Sequence, residues 1–120
     1  MMDSVGADLF VGTAEDAADN SSLETHGITT IVSLTHETPS PAIQSLTIRS
    51  IPLIDGPQNS REQFTKVVKE TVAALTAEGG VLVHCSAGAS RSPTVAATAL
   101  ALSQAMKLED ALQQVADNRD

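Results

Sequence analysis

The stretch His84-Cys85-Ser86-Ala87-Gly88-Ala89-Ser90-Arg91-Ser92 holds the chain's only cysteine six residues before an arginine. A thiol, a glycine-containing loop and a guanidinium at this spacing can close around one tetrahedral oxyanion. The backbone N–H groups of Ser86, Ala87, Gly88, Ala89, Ser90 and Arg91 can curl into an anion-binding nest. Gly88 frees the loop to take conformations other residues resist. Arg91 can grip two phosphate oxygens with its planar fork. A helix beginning near Ser92 would aim its partly positive end at the same point. Those surroundings also favour a thiolate, since cationic neighbours and helix N-termini lower a cysteine pKa from about 8.5 to roughly 3.5–7.5. The chemistry implied is transfer of a phosphoryl group to Cys85 sulfur, followed by hydrolysis. Ser92 is placed to give its hydroxyl to the departing sulfur, and His84 to orient the loop and tune the thiol.

Taken singly, neither residue points to catalysis. A lone cysteine is most often an inert small hydrophobe, and a lone histidine a satisfied structural group. The set at fixed offsets between an apolar run and a helix is what carries the reading. His26 and His36 lie outside that context and receive no role. An alkoxide leaving group also needs a proton donor. Asp55 is the only aspartate between Asp19 and Asp110, in a loop after a strand, and is the candidate general acid and later base. Asp55-Gly56-Pro57 is also an ordinary turn sequence. Glu62 is the fallback, although acids are common in a helix's first turn for dipole reasons.

The elements that must position these groups follow from periodicity. Ala7–Val11 is a short first strand. Thr13-Ala14-Glu15-Asp16 offers a capping signal for a brief helix, and Ser22–His26 another turn or two. Ile28–Leu34 is a buried strand. Leu46–Leu53 is a weaker one closed by Pro52. Thr35–Pro41 and Asp55–Asn59 are loops. Ser60 and Gln63 form a capping box for a helix over Arg61–Glu78, with Phe64, Val67, Val68, Val72 and Leu75 on one face. Gly79-Gly80 stops it. Val81-Leu82-Val83 is an all-apolar central strand, ending just before Cys85. Pro93 suits a helix's first turn, Thr94–Met106 continues it, and Leu108, Ala111, Leu112, Val115 and Ala116 form a last amphipathic face. Alternating strands and helices predict an α/β fold, with a small mostly parallel sheet flanked by helices and the active-site loop between a central strand and the next helix.

At 120 residues, one domain spanning 1–120 is expected. With two Phe and no Tyr or Trp, the core must be aliphatic. The formal charge of −8 argues against a nucleic-acid partner and against docking on anionic lipid. The N-terminus lacks a signal peptide's basic and apolar regions. One cysteine suits a reducing compartment, so a cytoplasmic protein is expected. Acidic excess with three lysines fits adaptation to high salt as well as it fits an ordinary acidic protein.

The motif resembles the His-Cys-x-x-Gly-x-x-Arg-Ser/Thr signature of the protein tyrosine phosphatase superfamily, and within it the small atypical dual-specificity phosphatases. Asp8–Ala17, Gly27–Leu34 and Gly80–Cys85 resemble that family's opening strand and turn, its second strand, and the strand feeding its phosphate loop. The resemblance implies Cys85 as nucleophile, Arg91 as phosphate clamp, Asp55 as general acid and Ser92 as helper of thiolate release, with no metal or cofactor. It implies a phosphorylated protein as partner. With no tyrosine in the chain, the tyrosine-bearing loop that deepens the pocket of tyrosine-specific members is missing, so phosphoserine and phosphothreonine would be admitted beside phosphotyrosine. Two alternatives stay open: a non-protein ester (a phosphoinositide, an RNA 5′ end or a metabolite), and a phosphosite-binding module without turnover. Family members usually continue past the last helix, so either the domain is minimal or part of the core face at Leu108–Ala116 is uncovered, which would favour dimerisation. A monomer or weak homodimer follows.

Overall fold

The computed structural model describes residues 2–34, 46–51, 61–77, 79–85 and 91–118; for residues 85, 91 and 92 the backbone alone is described. In chain order the elements are β1 (Asp3–Gly6), β2 (Leu9–Thr13), α1 (Ala14–Ala18), α2 (Asn20–Thr25), β3 (Ile28–Ser33), β4 (Thr47–Ser50), α3 (Arg61–Leu75), β5 (Gly80–Cys85), α4 (Arg91–Ser103) and α5 (Leu108–Asp117). The strands form one sheet in the order β1-β2-β5-β3-β4. β5 is central and parallel to β2 and β3, and β4 is parallel to β3. The expected α/β class with a mostly parallel sheet is what the chain adopts.

The opening strand differs from expectation. Ala7 and Asp8 do not begin a strand: both take positive φ, at 54° and 61°, and turn the chain between two antiparallel strands. Two consecutive left-handed residues suit a hairpin, because they match the twist of the strands they join. The strand that sequence placed at Ala7–Val11 is therefore the second of a pair and starts at Leu9.

Strand alternation divides the core between the two faces of the sheet. On one face, Leu9, Val11, Val32, Val81 and Val83 meet Val67 and Ala74 of α3, Val95, Ala96, Ala97 and Leu100 of α4, and Ala111 and Val115 of α5. On the other, Phe10, Ile31 and Leu82 meet Ala17 of α1 and Leu23 of α2. The many alanines of α4 let it lie close over the sheet.

Helix phases and ends depart from the sequence pattern in α3, α4 and α5. In α3 the buried positions are Val67, Val68, Thr71 and Ala74, while Val72 is only half-buried. Thr71 can take a core position because its Oγ1 donates to the Val67 carbonyl at 2.8 Å. α3 ends at Leu75, and Gly79, at φ 103°, lies against Thr29 where a Cβ would clash. α4 ends at Ser103 rather than Met106, with Ala105 turning the chain at φ 53°. In α5 only Ala111 and Val115 are buried, and Leu108 and Leu112 are 49% and 45% exposed. The Thr35–Pro41 loop, the Asp55–Asn59 loop and the Ser60 cap lie outside the described residues.

Candidate active site

Cys85 closes β5 and Arg91 opens α4. Five residues, 86–90, join the last residue of the central strand to the first turn of a 13-residue helix. The nucleophile candidate thus sits at the carboxyl end of a strand flanked by β2 and β3, paired in register with Thr13 of β2. Ligands bind at that end of open parallel sheets. The amide groups of α4's first turn have no carbonyl partners within the helix and face the same end. The loop residues Ser86, Ala87, Gly88, Ala89 and Ser90, and the acid candidate Asp55, lie outside the described residues. Glu62 occupies the exposed first turn of α3.

His84 is fully described and distinctive. It alternates with Val83 and so shares the α1 and α2 side of the sheet with Leu82. It is wholly buried, and among the described residues neither ring nitrogen has a hydrogen-bond partner. Burial pushes its pKa down from 6.5 to about 4, against an opposing pull from the Asp16 carboxylate. The ring beside Cys85 is therefore neutral at pH 7.

Asp16 carries a role that sequence reasoning assigned only to capping. It is buried at the third position of α1, where its Oδ2 accepts from Thr13 N at 2.8 Å and from Thr13 Oγ1 at 3.2 Å, while Thr13 Oγ1 accepts from Asp16 N at 3.3 Å. This reciprocal box fixes the carboxylate over Gly12, whose strand position pairs with His84. A Cβ on Gly12 would lie 2.7 Å from Asp16 Oδ2. Gly12 therefore makes room for a buried anion beside the residue preceding Cys85. The Thr13-x-x-Asp16 spacing signalled a cap. Its approach to His84 depends on β2 lying next to β5, a pairing across more than 70 residues. His26 packs its ring edge against Phe10, with centroids 5.4 Å apart, and bonds the Ser22 carbonyl through Nδ1 at 2.8 Å. It serves the fold. His36 lies outside the described residues.

Residues 9–120 match the family model for the dual specificity phosphatase catalytic domain. Zebrafish dual specificity protein phosphatase 22-B is 37% identical over 89 residues, covering 73% of this chain and 48% of its own length. Human dual specificity protein phosphatase 15 is 36% identical over 96 residues, covering 79% of this chain and 32% of its own. The chain thus spans about a third to about a half of these relatives' length. Among solved structures, a mouse protein described as a dual specificity phosphatase, complexed with zinc tungstate, superposes with a TM-score of 0.88 at 28% identity, covering 98% of this chain and 75% of that one.

Proposed function

The chain belongs to the dual specificity phosphatase family of phosphoric monoester hydrolases, and from that premise we propose that it hydrolyses phosphate monoesters on phosphoproteins through a cysteinyl-phosphate. The observation that carries the reading is the junction itself: Cys85 at the end of the central strand, five linking residues, then Arg91 at the start of α4. A structural neighbour complexed with tungstate, a tetrahedral oxyanion like phosphate, fits the same reading.

In the first step the Cys85 thiolate attacks phosphorus, the P–O bond to the leaving group breaks, and Asp55 gives its proton to the leaving oxygen. Arg91 and the amide groups of residues 86–91 hold the three equatorial oxygens, where charge is greatest. In the second step Asp55 accepts a proton from water as the water oxygen bonds to phosphorus. The P–S bond then breaks, and the Ser92 hydroxyl donates to the sulfur as it recovers its negative charge. Neutral His84 keeps a second cation away from Arg91 and offers a ring N–H to fix the loop. Both phosphotyrosine and phosphoserine or phosphothreonine are substrates in this reading.

Leaving-group dependence tests it. Asp55→Asn should lower kcat for an alkyl phosphate by about 10²–10⁴-fold and leave an activated aryl phosphate, whose phenolate departs unaided, nearly unaffected. Equal losses on both would remove Asp55 from the acid role.

A further inference from the structure

Four of the chain's seven basic residues, Arg49, Arg61, Lys66 and Lys69, lie on β4 or α3. Arg61, Glu62, Thr65, Lys66, Lys69 and Glu70 line an open groove of about 490 Å³ along the outer face of α3. Their spacing places them on one stripe of the helix, away from buried Val67, Val68, Thr71 and Ala74. Arg49 pairs with Glu70 and so neutralises one of the two carboxylates in the groove. The Arg49 Nε is buried and without a partner among the described residues. Arg61, Lys66 and Lys69 are exposed, and among the described residues no carboxylate pairs with them. A surface short of two anions in a chain of net charge −8 is a local reversal of sign.

Topology says where this surface points. Only residues 76–79 separate the end of α3 from the start of β5, so α3 finishes at the end of the sheet where β5 begins. Its first residue, Arg61, therefore stands at the opposite end, where β5 delivers Cys85. From Arg61 to Lys69 the stripe runs roughly 12 Å away from that end, at 1.5 Å per residue. An extended peptide covers the same distance in about four residues.

We propose that this groove docks an acidic segment of the phosphoprotein substrate, about four residues long and flanking the phosphorylated position. The inference rests on the phosphoprotein reading above and adds to it a sequence preference. Lys66 and Lys69 act on substrate capture and take no part in the chemistry. The acidic remainder of the surface repels a long polyanion, so a short acidic peptide fits better than a nucleic acid.

The test compares two phosphopeptides with the same phosphorylated residue, one flanked by four glutamates and one by four glutamines, against the whole chain and the Lys66→Glu/Lys69→Glu variant. The unsubstituted chain should show the lower KM for the acidic peptide. The variant should raise that KM about fivefold, leave kcat and turnover of p-nitrophenyl phosphate unchanged, and leave the glutamine peptide unchanged. The neutral pair Lys66→Gln/Lys69→Gln should give a smaller shift in the same direction, separating charge from any loss of folding. Absence of acidic preference in the unsubstituted chain, or its survival in both variants, overturns the proposal. Anisotropy of the unphosphorylated glutamate peptide separates the two levels of the argument. If p-nitrophenyl phosphate turns over and neither phosphopeptide does, the phosphoprotein reading fails. Lysine-dependent binding of the glutamate peptide would still report a basic groove that docks acidic segments, and its absence would remove the groove as well.

Discussion

The two faces of β5 are built on different principles. Val81 and Val83 enter a thick, largely aliphatic layer under α3, α4 and α5, whereas Leu82 and His84 enter a thinner one under α1 and α2. The thick layer holds α4, and with it Arg91, at a set height over the sheet. The thin layer carries the buried ionisable groups, Asp16 in its box with Thr13 and His84, which has no hydrogen-bond partner among the described residues. The contrast shows how a small chain divides its labour. Apolar packing places the first turn of α4 on one side, and a buried carboxylate lies beside the residue preceding Cys85 on the other.

The largest effect that would break this contrast is loss of packing in the thick layer. Leu100 is buried in α4 at 1% exposure, and Leu100→Ala should cost about 2–5 kcal/mol in urea unfolding. A loss well below that would mean α4 is not held by this layer.

Next comes the acid limb set by the thin layer. Folded His84 titrates at about 4 against 6.5 unfolded, so between those values the unfolded chain binds the extra proton. Its contribution to stability is therefore complete above pH 6.5 and is lost as pH falls toward 4, by about 3 kcal/mol. Unfolding free energies of the parent and His84→Gln chains, measured from pH 7 to 4, should diverge in slope over that window. Parallel curves would show that His84 is not held neutral by burial.

The smallest expected effect sharpens the polar side alone. Gly12→Ala puts a methyl group against Asp16 Oδ2 and within 3.2 Å of Leu82 Cδ1. A cost of about 1–3 kcal/mol is expected in thermal unfolding, with lower turnover if the displaced carboxylate disturbs His84. No change in either would show that the carboxylate moves aside freely.

The same contrast explains what could be read from the sequence. The apolar run before Cys85 revealed the central strand because both its faces are covered, and a strand covered on both faces needs no polar alternation. The Cys85-to-Arg91 spacing declared itself for a similar reason, since strand end, loop and helix start are local in sequence. Non-local features were hidden. Asp16 looked like a cap and nothing more, because its second role depends on β2 lying beside β5. Thr71 was passed over for Val72, since a threonine earns a core place only when its hydroxyl is satisfied within the helix. The β1–β2 turn escaped because Ala7-Asp8 lacks the Asn-Gly or Asp-Gly signature of its geometry. The basic stripe on α3 was invisible beneath a strongly negative total, which averages over the surface it contradicts.

The most direct measurement of the central claim is capture of the intermediate. Mixing the chain with an activated aryl phosphate and quenching in acid within the first turnovers should leave one phosphoryl group on the peptide containing Cys85, detected by mass, and none on a Cys85→Ser chain, which should also fail to turn over. Turnover that persists in Cys85→Ser, or a phosphoryl group found on another residue, would contradict it.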